Sequence, residues 1–524
     1  MNNSLNKNYY LLVPVVLALI LVLIITLSNS YPLSWDIYTH INYALSYMHD
    51  GITSVDYLLN APEGKIIGYP PLFHVLLIIF SYISGGSLLA SARVIQVVLT
   101  VCNVFTVCYV AKEFFDEKVG FFAGILLISS FMFTRFLLPI PETLAMIFFT
   151  LSVYFYYKAS SEANFRYSLL VAFLSLLTLA THFSSFVYLM LLLVVLTIVQ
   201  TVLLKNFDAV EYYAYVIIPI FFIGIVMLVF LFVISPSFLG QLLKGLFSLI
   251  SNPFDLFMGQ VAMGLERYIR CIGLIPLLFA VIGLYYSFRN KEFLFVASWS
   301  LIAFLITNLH WFGVPVYTFR LLLYLIVPLV MLGGYAIPVL LDSFNVSKKH
   351  TKIFIIALII LSFGLGIVHL SDSSVTNYSV VTEKSTYQIA PPTFEEQEII
   401  SFFENETTGN KSVLTNNLFF GTVISSIDDM PLHYGFDIYT NKSLTKSNSN
   451  SLKEEKIGYI LYDKSLIVNN TSEYNNLDVI YVNGSYYPSY YFTKEITDNN
   501  FNNIKLSSSE IVFENDRFIL CRVI

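Results

Sequence analysis

Asp36, His40, Tyr43 and Tyr47 recur at i, i+4, i+7 and i+11 in the stretch YPLSWDIYTHINYALSYMHDGITSVDYLLNAPEGKIIGY, residues 31–69. On a helix this spacing sets all four on one face. A carboxylate able to accept a proton then stands in line with an imidazole and two phenols. Ile37, Ile41, Ala44 and Leu45 fall on the other faces, so the segment can lie on or in a membrane surface. A second polar cluster follows in Glu63, Lys65, Tyr69, Pro70 and Pro71. Farther along, Arg135 and Glu142 bracket a proline-rich turn in TRFLLPIPETLAM, His182 lies in LATHFSSF, and Arg320 opens the apolar run of HWFGVPVYTFRLLLYLIVPLVMLGG. Guanidinium groups at such positions suit phosphate, which they can grip through two parallel donors.

Each of these residues also has a plainer account. Asp36 is equally a solvated loop aspartate just beyond an apolar span. Glu142 follows Pro141 at a helix start, where an acid is favoured by the dipole alone. Arg320 can snorkel to the interface, and Trp311 before it is an ordinary interfacial anchor. A capping or core histidine accounts for His182.

The elements that must position these residues are set by composition. The 524 residues are 56% hydrophobic and 12% charged, with mean hydropathy +0.71, whereas soluble domains carry about 25% charged residues. The expectation is a mostly α, polytopic membrane protein in a lipid bilayer. A net charge of −6 excludes the basic stripe a nucleic-acid partner requires. The four cysteines show neither metal-ligand spacing nor a disulfide framework. Abundant Ile, Asn, Lys and Tyr fit an AT-rich genome, as in many archaea and some bacteria.

Runs long enough to span a bilayer lie near 9–30, 88–110, 119–134, 143–158, 167–181, 183–204, 212–234, 268–288, 292–309, 320–341 and 352–370, eleven in all. The first is a retained span rather than a removable signal. The run 71–84 is shorter and reads as interfacial or re-entrant, a juxtamembrane helix on the outer side. With a cytoplasmic N-terminus, every inner segment then carries basic residues: Lys7, Lys112 and Lys118, Lys158 and Arg166, Lys205, Arg289 and Lys291, and Lys348, Lys349 and Lys352. This places 31–87, the Arg135–Glu142 turn, 235–267 and the tail outside. Lys65, Arg93, Arg135, Lys244, Arg267 and Arg320 go against the rule there, and a site that handles phosphate would give them a reason. The 235–267 loop is either a substrate gate or a helical hairpin.

Beyond residue 370 the chain turns polar. Residues 1–370 read as the membrane domain and 371–524 as a small extracytoplasmic α/β domain. Its expected parts are a helix start at Pro391-Pro392-Thr393 and strands at 412–415, 457–462, 479–482, 511–514 and 517–523, with a turn at Asn515-Asp516. Sequons at Asn377, Asn405, Asn410, Asn441, Asn470 and Asn483 are consistent with export.

Over residues 10–340 the chain resembles the GT-C superfamily of membrane glycosyltransferases. These include the dolichyl-phosphate-mannose protein mannosyltransferases, the lipid A aminoarabinose transferases and the catalytic subunits of oligosaccharyltransferases. The marks are Asp36 in SWDIYTHINYAL after the first span, the Pro-Pro start of YPPLFHVLL, Glu142 in PIPETLA and Arg320 in YTFRLLLYLIVPL. The resemblance implies transfer of a hexosyl or pentosyl group from a polyprenyl or dolichyl phosphate, on the outer face of the cell membrane, to a glycan, lipid or protein acceptor. It implies Asp36 as the base or acceptor-orienting group with Glu142 as a second catalytic acid. His40, Tyr43, Glu63, Lys65, Tyr69, Arg135, His182 and Arg320 are then substrate-binding candidates, acting with the acids in one wet pocket. Asp36 and Glu142 are candidates for sharing a divalent metal ion, with no other cofactor expected. The sequence departs from the oligosaccharyltransferases in lacking a WWD-type motif, since its tryptophans are Trp35, Trp299 and Trp311. It also has Tyr69 where many relatives carry a basic residue before the prolines. An oligosaccharyltransferase-like enzyme is the alternative, followed by a transporter or flippase of a lipid-linked glycan, which the lack of an internal repeat disfavours.

Overall fold

The computed structural model describes residues 9–34, 36–51, 53–234, 240, 263–290, 293–314, 316–371, 392–405, 411–434, 452–468, 492–493 and 509–524. Residues 235–239 and 241–262 of the 235–267 loop, expected as a substrate gate or a helical hairpin, lie outside these residues, as do the strand at 479–482, Trp35, and the sequons other than Asn405. The chain forms two units. One comprises residues 1–28, 69–73 and 95–375; the other comprises 29–68, 74–94 and 376–524.

All eleven apolar runs are helical. Six helices are long and apolar enough to cross a membrane: Tyr10–Ser28, Leu88–Phe114, Phe183–Val202, Asp208–Phe230, Thr318–Ser343 and Lys348–Leu370. A seventh is counted if Leu265–Ile272 and Leu274–Ser287, bent by 107° at the break, form one span. Gly273 stands at that break with φ +96°, a conformation that suits glycine. The remaining runs form Glu117–Ile128, Pro141–Ser161, Phe165–Thr181 and Leu294–Thr307. The run read as 119–134 therefore holds a helix of only 12 residues. It stops at Ser129 and Ser130, whose hydroxyls turn to the backbone carbonyls of Leu126 and Cys271.

In the first unit the helices pack closely, and small residues permit it. A Cβ at Gly283 would lie 1.9 Å from the Leu332 carbonyl oxygen, so the Leu274–Ser287 and Thr318–Ser343 helices meet backbone to backbone there. The Asp208–Ile234 helix instead exposes Ile218, Phe221, Phe222 and Val229, as a lipid-facing helix does. The expected short run is the Leu72–Ile83 helix of 12 residues. At 1.5 Å per residue it is about 18 Å long, less than the ~30 Å hydrocarbon core.

The second unit is mixed α/β. Its sheet has the order β4-β3-β5-β9-β8, with β3 (Ser412–Thr415), β4 (Leu432–His433), β5 (Ile457–Asp463), β8 (Ser509–Glu514) and β9 (Phe518–Val523). β3 pairs in parallel with β4 and β5, while β9 runs antiparallel to β5 and β8. The tight turn at Asn515 closes the β8–β9 hairpin through its N–H to the Phe518 carbonyl, 3.0 Å. The Phe394–Glu404 helix starts with the capping box of Thr393 and Glu396. Arg517 pins this helix to the sheet by pairing with Glu396 at 2.8 Å and Asp463 at 2.9 Å.

Residues 29–68 belong to the same folded body. Tyr43 and Tyr47 of the Asp36–Asp50 helix, with Leu59 and Ile67, share one core with Leu414, Leu418, Leu432, Ile460 and Tyr462. Leu59 bridges to Leu432, and Asn42 donates to the Thr422 carbonyl at 3.4 Å. The helix is consequently buried on more than one face: Ile37, Ile41 and Ala44 are as enclosed as His40, Tyr43 and Tyr47.

Candidate active site

The first unit gathers Arg135, Glu142, His182, Arg320 and Tyr69. Arg135 and Glu142 are buried together and form an ion pair. The turn that carries them is braced from the Leu88–Phe114 helix. Thr100 donates to the Phe136 carbonyl at 3.0 Å, and Asn103 donates to the Thr143 carbonyl at 2.9 Å. Pro141 sits in the first turn of the Pro141–Ser161 helix, so Glu142 stands at the positive end of that helix. The Arg135 guanidinium lies 5.9 Å from the Phe319 ring, and Arg320, partly buried, lies 5.4 Å from the Tyr317 ring. Arg135, His182 and Arg320 all act electrostatically on Glu142. One carboxylate thus faces two permanent cations and a histidine.

His182 caps the Phe183–Val202 helix, its Nδ1 accepting from the Ser185 backbone N–H. The half-exposed Tyr69 ring stacks on the imidazole, with centroids 6.3 Å apart.

The second unit holds Asp36, His40, Tyr43, Glu63 and Lys65. Asp36 is the first residue of its helix, partly buried, with its backbone N–H donating to Ser34 Oγ at 3.2 Å. One turn on, His40 Nδ1 lies 3.0 Å from Nε2 of His74, and the two rings stack. Tyr43 and Tyr47 meet His74 edge-on. Burial pushes His74 down to about 3, so it is neutral at physiological pH. Sequence reasoning missed His74. The only local signal was a histidine inside an apolar helix that opens with Pro70-Pro71.

Glu63 is exposed in the turn between β1 (Val55–Asp56) and β2 (Lys65–Ile66). Gly64 permits that turn, with φ +83° and a position where a Cβ would strike Val55. Lys65 pairs across the ladder with Asp56. Asp56 is fully buried, and its Oδ1 accepts from Ser46 and from the Leu58 N–H, each at 2.9 Å. Burial raises the Asp56 carboxyl, while those hydrogen bonds and Lys65 oppose the rise. Burial lowers the Lys65 ammonium, and Asp56 opposes that. Lys65 and Asp56 thus act electrostatically on one another across the ladder.

No protein-family model matches the chain. No curated protein matches it by sequence either. Its structure does match solved ones. An oligosaccharyltransferase from Archaeoglobus fulgidus, in complex with Zn and sulfate, superposes with a TM-score of 0.62 at 12% identity, covering 87% of this chain and 68% of that one. ArnT from Cupriavidus metallidurans, bound to undecaprenyl phosphate, gives 0.58 at 10% identity and covers 98% of this chain and 97% of its own. The arabinofuranosyltransferase AftD from Mycobacteria gives 0.54 at 13% identity, covering 98% of this chain and 40% of that one. The chain has the GT-C glycosyltransferase fold.

Within this GT-C fold the described residues do not fit a metal centre. No group of three His, Cys, Asp or Glu side chains among them is placed to hold an ion. Glu142, a candidate ligand, already has the Arg135 guanidinium on its carboxylate. A metal there would have to displace a buried cation.

Proposed function

We propose that this chain is a membrane glycosyltransferase that moves a sugar from a polyprenyl or dolichyl phosphate to an acceptor hydroxyl on the outer face of the cell membrane, with its N-terminus cytoplasmic and its C-terminal domain outside. The reading rests chiefly on the positive charge gathered near Glu142 by Arg135 and Arg320. Guanidinium groups grip an anion such as a lipid phosphate through paired donors. The end-to-end likeness to ArnT, which was solved with undecaprenyl phosphate, supports the same donor class.

In this reading the acceptor oxygen forms the new bond to the anomeric carbon as its proton passes to Asp36. The bond from that carbon to the phosphate oxygen breaks, and its electron pair stays on the phosphate. Arg135 and Arg320 stabilise the charge that develops there. His40 and Tyr43 support the helix that presents Asp36. Glu142 holds Arg135 in place rather than taking a proton.

The archaeal oligosaccharyltransferase, also solved tethered to a peptide with the NVT sequon, favours a second reading in which the acceptor is a peptide. The absence of any tryptophan after Trp311 weighs against it. Purified protein in vesicles should release polyprenyl phosphate from a labelled polyprenyl-monophosphate sugar and leave a diphosphate-linked oligosaccharide intact. Turnover of only the diphosphate donor, with label arriving on a sequon peptide, would replace the first reading with the second.

A further inference from the structure

His182 occupies a junction of three hydrogen-bonding partners. It ends the Phe165–Thr181 helix, donating its backbone N–H to the Thr178 carbonyl at 2.8 Å. It then caps the next helix. Its Nδ1 lies 3.3 Å from the Ser185 backbone N and 2.7 Å from Ser185 Oγ. Ser185 Oγ lies 2.6 Å from the Tyr324 hydroxyl oxygen. All three side chains are buried, with exposures of 8% for His182, 0% for Ser185 and 2% for Tyr324.

The direction of the protons follows from one fixed donor. A backbone N–H can only donate, so Nδ1 must be an acceptor and carries no proton. The Ser185 hydroxyl, close to that same nitrogen, must then also donate to it. Its oxygen is left to accept from the Tyr324 O–H. The chain of donors runs one way, from Tyr324 through Ser185 to His182 Nδ1, and the ring proton resides on Nε2. Protonating Nδ1 would turn it against both donors and undo the helix cap. The ring is held on its face as well, by the stacked Tyr69.

We infer that Ser185 and Tyr324 are positioning residues that hold His182 as the neutral Nε2–H tautomer, a fixed hydrogen-bond donor for the phosphate that departs with the lipid. The inference rests on the lipid-phosphate reading for its ligand. In the transfer step no proton leaves His182: the acceptor's proton goes to Asp36 and the phosphate keeps the electron pair of the broken bond. The Nε2–H contributes a hydrogen bond that strengthens as charge gathers on the phosphate oxygens. Such a donor raises kcat more than it tightens binding of the intact donor.

The test has two readouts. ¹⁵N-histidine-labelled protein in lipid is examined by solid-state NMR, with His182→Gln assigning the signal. The wild type should show a neutral Nε2–H ring. Ser185→Ala and Tyr324→Phe should shift His182 toward a mixture of ring forms. In turnover of a polyprenyl-monophosphate sugar, Ser185→Ala should lower kcat about tenfold, the loss of one hydrogen bond, with the donor KM within about twofold of wild type. Ser185→Thr, which keeps the hydroxyl, should restore both readouts. An Nδ1–H ring in the wild type, an unchanged ring in both variants, or equal loss in Ser185→Thr and Ser185→Ala would overturn the inference. The NMR result needs no donor. Absence of turnover in the wild type would therefore count against the proposed reaction, while the ring forms judge the positioning role separately.

Discussion

Around Glu142, a single carboxylate lies in the field of Arg135, Arg320 and His182, whereas among the described residues of the other unit Glu396 and Asp463 share Arg517. Asp56 has Lys65 opposite it across the ladder, and Asp428 has Glu404 and Asp429 for neighbours. Both environments are costly to bury, and they suit different chemistry. A surplus of guanidinium charge binds and stabilises phosphate. A carboxylate can accept a proton. The two units thus differ in the balance of charge around their buried acids.

Removing one member of the buried pair should have the largest effect on stability. Arg135→Met leaves the Glu142 carboxylate buried without its partner, at a cost of about 3–5 kcal/mol. It should show as early loss of folded protein on heating in detergent, and Arg135→Met with Glu142→Leu should recover most of it. Recovery of the fold without recovery of turnover would separate the structural role of the pair from its role at phosphate. Next in size, Arg320→Ala should raise the KM for a polyprenyl-monophosphate sugar roughly 10- to 100-fold, the worth of a charged hydrogen bond. An unchanged KM would return Arg320 to a snorkelling residue.

The acidic side of the contrast is read by pH. Burial, then Glu404 and Asp429, push Asp428 up to about 7. A carboxyl raised in the folded state holds its proton more tightly there than in the unfolded chain. Stability is therefore greatest below the ordinary Asp value and falls as pH rises from about 4 to about 7. Asp428→Asn should raise the melting temperature at pH 8 and leave it nearly unchanged at pH 4. The smallest effect is expected from Lys65→Met, because Lys65 faces Asp56 across the ladder. The donor KM should change by less than about fivefold, the worth of a weak pair, and a change as large as that of Arg320→Ala would erase the contrast between the units.

Much of the fold was legible because its signals are local. Runs of apolar residues mark the helices, and β-branched runs with the Asn515-Asp516 turn mark the hairpin of β8 and β9. The Thr393–Glu396 box marks a helix start in four residues. What the sequence could not display is pairing across distance. Tyr43 and Tyr47 share a core with Leu418 and Leu432, but nothing near either segment distinguishes that partner from lipid, so the Asp36–Asp50 helix reads as an interfacial amphipath. His74 is missed for the same reason, since His40 is set beside it only by folding, as Asp56 is set opposite Lys65. Ser185 and Tyr324 resemble any hydroxyls in a membrane helix until His182 is seen beside them.

The claim on which the account turns is that Asp36 accepts the acceptor's proton. Single-turnover transfer from a labelled polyprenyl-monophosphate sugar, measured for wild type and Asp36→Asn with donor saturating, tests it most directly. Loss of a general base predicts a rate at least about 100-fold lower, with donor binding retained. Transfer by Asp36→Asn at the wild-type rate would contradict it.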